Sequence, residues 1–258
     1  MLFAIDIGNT QTSFCLFKKH RLVADWRLKS LRTWTKDELW HHLNTFLKRI
    51  KIPRENIDGT VIASVVPVLA RTYTSMCKKY FKTNPLIISS LLSLNMRIQY
   101  DDPSTLGADR LCNVMAAYEK YGGPAIAIDF GTATTFDVVS KKGDFLGGVI
   151  APGVETSAVE LYKRTAQLPK IPFQLRNFVI GTNTIACMQS GIIYSAVDAM
   201  EGIVKRIKKM IGQKAIVIAT GGYGQLIAKQ SKLIDHVEPH LVLEGARLIY
   251  ELVNKRKK

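Results

Sequence analysis

The chain has no G-x-x-x-x-G-K-[ST] pattern, which excludes phosphate binding by a P-loop. Cysteine is scarce: four residues, Cys15, Cys77, Cys112 and Cys187, lie far apart without a C-x-x-C pair. That spacing suggests neither a disulfide framework nor a zinc site, and reduced thiols fit a cytoplasmic protein. No stretch approaches the ~18 apolar residues of a membrane helix. The apolar run at residues 1–7 meets Asp6 and Gly8 too early for a signal segment. Acidic residues are outnumbered, 21 Asp and Glu against 36 Lys and Arg, for a formal charge of +15. An excess of that size raises nucleic acid or anionic lipid as partners. The basic residues come in short, scattered groups, Lys18-Lys19-His20-Arg21, Lys78-Lys79, Lys205-Arg206 and the C-terminal Lys255-Arg256-Lys257-Lys258, with no aromatic interleaving. This pattern favours solvated basic faces over a nucleic-acid groove, with a general field that draws in anionic substrates.

What is present is a globular composition, 47% hydrophobic and 22% charged over 258 residues. The length has room for two domains of roughly 130 residues. Within it one stretch occurs twice at a constant offset: Ala4-Ile5-Asp6-Ile7-Gly8-Asn9-Thr10-Gln11-Thr12 and Ala127-Ile128-Asp129-Phe130-Gly131-Thr132-Ala133-Thr134-Thr135. Each copy reads as strand, tight turn, strand. Gly8 and Gly131 leave no Cβ in the way, so successive backbone N–H groups can converge on an anion, with Asn9, Thr10, Thr12, Thr132, Thr134 and Thr135 adding short-armed donors. Phosphate fits such a turn. An Asp ending each strand is poor company for phosphate unless a cation lies between them, so Asp6 and Asp129 imply metal ions. A single copy reads equally well as an Asx-type turn in an ordinary sheet. The duplication favours a ligand, because matched turns from two half-chains can face one another across a cleft.

Periodicity and punctuation fill in the rest. A third strand is expected at 23–28, and a helix opens at Thr35-Lys36-Asp37-Glu38 with capping-box spacing and stops before Pro53. Residues 60–67 read as a buried strand breaking into a helix that carries Leu69, Tyr73 and Met76, and 86–88 as a further strand. Ser104-Thr105-Leu106 opens a helix that ends near Gly122-Gly123-Pro124, where the domain boundary is placed: 1–121 and 122–258. The second half restarts with its own hairpin, followed by helices at 155–166 and 183–211, a buried strand at 215–220 and a closing amphipathic helix at 242–253. Strands followed by helices, twice, is an α/β plan with one sheet in each half. Asp109 falls in the opening turn of its helix, where the macrodipole and free N–H groups favour an anion able to accept a proton. A helix-start Asp serving only stability is the alternative. Arg110 beside it is suited to pinning a carboxylate or phosphate. Thr220-Gly221-Gly222 reads as a small-residue loop at the end of a strand, whether or not a ligand lies beside it.

The two hairpins resemble the phosphate loops of the acetate and sugar kinase, heat-shock chaperone and actin superfamily. Within it, Asp6-x-Gly8-Asn9-Thr10, Gly107-Ala108-Asp109-Arg110, the second hairpin, Gly147-Gly148-Val149-Ile150-Ala151-Pro152-Gly153, Gly181-x-Asn183-Thr184 and Thr220-Gly221-Gly222 are similar, in order, to the type III pantothenate kinases. The resemblance implies two ribonuclease-H-like domains, a duplicated actin-like fold of mixed sheets flanked by helices, with the nucleotide cleft between them. It implies ATP-dependent phosphorylation of pantothenate in coenzyme A synthesis, and it assigns roles. Asp6, Ile7, Gly8, Asn9, Thr10, Gln11, Thr12, Ser13 and Thr132 would contact ATP, with Asp6 placing Mg²⁺. Asp129 would belong to a site for a monovalent cation, K⁺ or ammonium. Tyr100, Gly107, Ala108, Arg110 and Thr184 would contact pantothenate, with Asp109 as general base. The Gly147–Gly153 stretch would wall that substrate and the Gly221 loop would lie beside adenosine. A homodimer is implied, with the 183–211 helix a candidate for its interface. His240, where relatives often have Asp, and Asp101-Asp102-Pro103 depart from the pattern outside these roles. Another small-molecule kinase of the superfamily would not need Gly107-Ala108-Asp109-Arg110, and a transcriptional accessory protein resembling the Bvg accessory factors would suit the charge but gives no reason for an intact base.

Overall fold

The computed structural model describes residues 1–173 and 179–256. Residues 174–178, between the helices expected at 155–166 and 183–211, and the last two lysines of the C-terminal basic group lie outside the described residues. In chain order the elements are β1 (Leu2–Ile7), β2 (Gln11–Lys18), β3 (Arg21–Lys29), α1 (Lys36–Arg49), β4 (Gly59–Ser64), α2 (Pro67–Met76), β5 (Leu86–Ile87) and α3 (Ala108–Tyr121). Then come β6 (Ala125–Phe130), β7 (Ala133–Val139), β8 (Phe145–Pro152), α4 (Val154–Arg164), α5 (Thr184–Ile211), β9 (Ile216–Thr220), α6 (Gly224–Ala228), β10 (His236–Val237) and α7 (Leu241–Lys255). Contacts group them into two units: Met1–Ala116 with the segment from His240 onward, and Ala117–Pro239.

In the first unit the sheet order is β3-β2-β1-β4-β5, with β1–β2 and β2–β3 antiparallel and β4 and β5 joining in parallel. Alternation sends Phe3, Ile5 and Ile7 to one face, where they pack with Phe14, Trp26, Leu39, Leu43, Leu69 and Tyr73 from β2, β3, α1 and α2. Phe3 and Phe14 stack at 5.7 Å between centroids. The capping box opens α1 as expected: Glu38 N–H donates to Thr35 Oγ1 at 3.2 Å and Thr35 N–H to Glu38 Oε2 at 2.9 Å. Pro67 starts α2, where its missing N–H costs nothing.

The second unit repeats the plan as β8-β7-β6-β9-β10, with the same antiparallel and parallel pairings. The duplication seen in the motif therefore extends to the whole sheet. Its register differs in one respect. Ile7 pairs with Thr12, whereas Phe130 pairs with Thr134, so the second turn is one residue shorter and the equivalent of Thr12 is Thr134, although the sequence aligns Thr12 with Thr135.

Three further differences have physical causes. The helix expected from Ser104 begins at Ala108, because Asp102 Oδ1 accepts both the N–H (2.9 Å) and the hydroxyl (2.6 Å) of Ser104 and closes a separate 3₁₀ turn at Pro103–Thr105. The Gly147–Gly153 stretch is largely strand β8, paired with β7 through an irregularity at Val138/Val139. The closing helix α7, expected with the second half, packs on β1, β2 and β4 of the first unit.

Candidate active site

The first turn is built by closing β1 onto β2. Gly8 N–H donates to Gln11 O at 3.0 Å, and a Cβ on Gly8 would stand 3.0 Å from that same oxygen, so only glycine fits the bend without displacing it. Asn9, Thr10 and Gln11 are exposed at the tip, and Asp6 is half-buried at the end of its strand. The side chains of Ile7 and Thr12 are fully buried. Thr12 Oγ1 lies 2.8 Å from Ser30 Oγ, so this hydroxyl supports the turn from inside rather than lining its tip. Sequence alone suggested no role for Ser30.

Gly107, Ala108, Asp109, Arg110 and Tyr100 are brought together in the same unit. Asp109 sits in the first turn of α3, and its Oδ1 accepts the backbone N–H of Arg110 at 2.8 Å. The carboxylate lies back over Gly107, where a Cβ would be 2.5 Å from Asp109 Oδ1. Glycine is therefore what admits the carboxylate there. Burial pushes the Asp109 carboxyl up from its ordinary value, opposed by the Arg110 N–H and by the Arg110 charge. The helix start was expected to keep this group anionic, and desolvation is the larger influence. Arg110 is buried, donates from Nη1 to Tyr100 Oη at 3.2 Å, and holds its guanidinium 5.8 Å from the centre of the Tyr100 ring. The pKa of the buried Cys112 thiol, one turn along α3, is raised first by desolvation and then by the charges of Asp6 and Asp109.

The second turn is tighter. Gly131 N–H donates to Ala133 O at 3.1 Å. Asp129 lies against the Gly221 bend: Gly221 has φ +85°, and a Cβ there would be 2.3 Å from Asp129 Oδ1 and 2.7 Å from the Phe130 backbone. Gly221 is required twice over, by its left-handed conformation and by this approach. Thr132 is exposed at the tip, and its carbonyl accepts from Gly153 N–H at 3.2 Å and from Thr156 Oγ1 at 2.6 Å. A Cβ on Gly153 would meet Gly131 O at 2.3 Å, so the end of the expected substrate wall is packed on this turn. Thr184 opens α5, capped by Asn183 Oδ1 accepting from Ala186 N–H at 2.9 Å.

Two sheets of matching topology, each with an Asp-x-Gly turn, define the actin-like ATPase and sugar-kinase fold. Solved structures of that fold align along the whole chain. The activator of 2-hydroxyisocaproyl-CoA dehydratase from Clostridium difficile, with bound ADPNP, gives a TM-score of 0.58 at 14% identity, covering 99% of this chain and 96% of that one. The ROK hexokinase of Thermus thermophilus gives 0.53 at 10%, covering 98% and 99%. At this identity they establish the fold. The type III pantothenate kinase family model matches residues 2–206. The type III pantothenate kinase of Moorella thermoacetica is 45% identical over 251 residues, covering 97% of this chain and 99% of that protein. That of Halalkalibacterium halodurans is 43% identical over 251 residues, with the same coverage. The chain belongs to the type III pantothenate kinase family.

Proposed function

We propose that the chain transfers the terminal phosphoryl group of ATP to the terminal hydroxyl of pantothenate, giving 4'-phosphopantothenate on the route to coenzyme A. The observation that carries this reading is the Asp109 carboxylate, half-buried over Gly107 and next to a buried Arg110. Asp109 accepts the hydroxyl proton, and its upward-shifted pKa brings it nearer the range in which a general base is effective. Phosphoryl transfer passes through a loose transition state, so much of its contribution is orientation of the hydroxyl. Arg110, held by Tyr100, pairs with the pantothenate carboxylate, and Thr184 and the backbone of Gly107 and Ala108 complete the contacts.

The exposed tips of the two turns hold the nucleotide, through Asp6, Gly8, Asn9, Thr10, Gln11 and Ser13 on one and Thr132 on the other, whereas the side chains of Ile7 and Thr12, also expected among the ATP contacts, are buried and support the first turn from inside. One carboxylate in each turn suits Mg²⁺, which takes one or two protein carboxylates and leaves the remaining positions to phosphate and water, so Asp6 fits that ion. When bound, the ion neutralises charge developing on the phosphates. Asp129, beside the Gly221 bend, is the ligand for a monovalent cation, K⁺ or ammonium, which compensates charge that a single divalent ion leaves in a partly dehydrated site. The protein works as a homodimer in the cytoplasm. Exposed Ile180 and Ile185 near the start of α5 are apolar surface consistent with an interface, and four free cysteines match a reducing compartment.

The test is ADP release from MgATP with and without pantothenate, in K⁺ and in Na⁺. Pantothenate-dependent ADP is expected, formed severalfold faster in K⁺, and Asp129→Asn should flatten the K⁺ response. No pantothenate-dependent ADP in either salt overturns the reading. A full K⁺ response in Asp129→Asn moves the cation elsewhere.

A further inference from the structure

Both turns are tied down from the same place in the duplicated plan. In the first unit the residue directly after the third strand is Ser30, whose N–H donates to Thr10 O at 3.0 Å. In the second it is Gly153, directly after β8, whose N–H donates to Thr132 O at 3.2 Å. With the register fixed by Thr12 and Thr134, the two acceptors are equivalent: each lies two residues before the buried threonine that opens the strand ladder. Each tie is doubled by a hydroxyl. Ser30 Oγ lies 2.8 Å from Thr12 Oγ1, so Ser30 grips the turn on both sides of Gln11. In the second unit the glycine has no hydroxyl to offer, and a Cβ would strike Gly131 O at 2.3 Å, so Thr156, in the first turn of α4, supplies it to Thr132 O at 2.6 Å.

We infer that Ser30 and Thr156 are positioning residues for the nucleotide, each fixing one phosphate turn through a hydroxyl that need not touch the ligand. A turn that binds anions through backbone N–H groups depends on those groups staying convergent. Thr10 and Thr132 carry the tips: the Thr156 hydroxyl holds the Thr132 carbonyl from behind, and in the first turn the Ser30 N–H holds the Thr10 carbonyl while the Ser30 hydroxyl anchors the Thr12 side chain where the turn meets the ladder, so that the peptide planes presenting the N–H groups stay fixed. The strap of the first turn combines a backbone and a side-chain hydrogen bond at a partly buried position, where such bonds are least exposed to competition from water.

This inference rests on the reading of the two turns as phosphate loops, and its test separates the two. Nucleotide affinity is measured by calorimetry with Mg²⁺ and a non-hydrolysable ATP analogue, for the parent, Ser30→Ala, Ser30→Thr and Thr156→Val. KM for ATP and for pantothenate are measured alongside. Ser30→Ala and Thr156→Val should each bind the analogue roughly three- to tenfold more weakly, the size of one neutral hydrogen bond, and raise the KM for ATP by a similar factor. The KM for pantothenate should stay at the parent's value. Ser30→Thr, which keeps the hydroxyl, should restore affinity. Parental analogue affinity in both deletion variants overturns the inference, as does a loss that falls equally on pantothenate. A parent that binds the analogue but makes no pantothenate-dependent ADP overturns only the proposed reaction, and a parent with no affinity for the analogue overturns both.

Discussion

At the scale of single residues Gly107 bears directly on the proposed base. Its missing Cβ leaves room for Asp109 Oδ1, which would otherwise be 2.5 Å away, so an added Cβ must push the carboxylate from the position in which it accepts the Arg110 N–H. Gly107→Ala should therefore displace the base without removing it. A misplacement on the order of 1 Å in a near-attack geometry costs up to about 10²-fold, so kcat should fall by roughly 10- to 10²-fold while both KM values change by less than about threefold. The pH profile gives a second reading of the same displacement. Burial raises the pKa of Asp109, and the base works only when ionised, so kcat/KM should be lost as pH falls through a value above the ~3.9 of an ordinary aspartate. Pushed toward solvent in Gly107→Ala, the carboxyl should titrate lower and carry the acid limb down with it. Parental kcat and an unmoved acid limb would show that the close approach does not position the base. Gly107-Ala108-Asp109-Arg110 was legible because its residues are contiguous. Ser30 and Thr156 were not, and Gly153 was read as part of a substrate wall and not as a tie on the turn, because these roles depend on which strand end lies beside which turn, and no local pattern records that.

Among the elements, α7 shows where sequence reading stops. Its amphipathic periodicity was plain, but periodicity names a buried face and not the surface that covers it, and the helix was placed with the wrong sheet. The local sign of its true partner is Gly245, a poor helix residue retained in mid-helix. A Cβ there would stand 2.0 Å from the carbonyl oxygen of Cys112 in α3, so the two helices meet backbone to backbone. Gly245→Ala sets two effects against each other. Helix propensity would gain up to about 1 kcal/mol, whereas forcing a methyl against backbone that cannot rotate away costs about 1–3 kcal/mol or more. Overpacking should win, lowering stability by roughly 1–2 kcal/mol in denaturant unfolding. A variant as stable as the parent would mean that α7 can shift freely on α3. Strand β8 escaped the sequence reading for a related reason: Gly147, Gly148 and Pro152 are poor strand formers, and their place is fixed by the ladder to β7 rather than by propensity.

For the whole molecule the deciding quantity is the charge of +15. Many carboxylates are engaged locally: Glu160 with Lys163 and Arg164, Glu201 with Lys205, Asp37 with Lys79, and Glu251 with Arg247. The one-to-one pairs are neutral at a distance and the Glu160 group keeps one positive charge, so the surplus of Lys and Arg sets the long-range field, and both proposed substrates are anions. Such a field concentrates ATP more than pantothenate, because ATP carries the larger charge. Raising ionic strength from about 0.01 M to about 0.15 M shortens the Debye length from ~30 Å to ~8 Å and should remove most of this attraction. With K⁺ held constant and ionic strength adjusted by tetramethylammonium chloride, the KM for ATP should rise severalfold and that for pantothenate by less. The kcat should hold, because the groups around Asp109 are buried and poorly screened. Equal KM values at both ionic strengths would mean that the basic surface is a solvated face without influence on the site. A fall in kcat with both KM values unchanged would instead place the salt-sensitive charges inside the reacting centre.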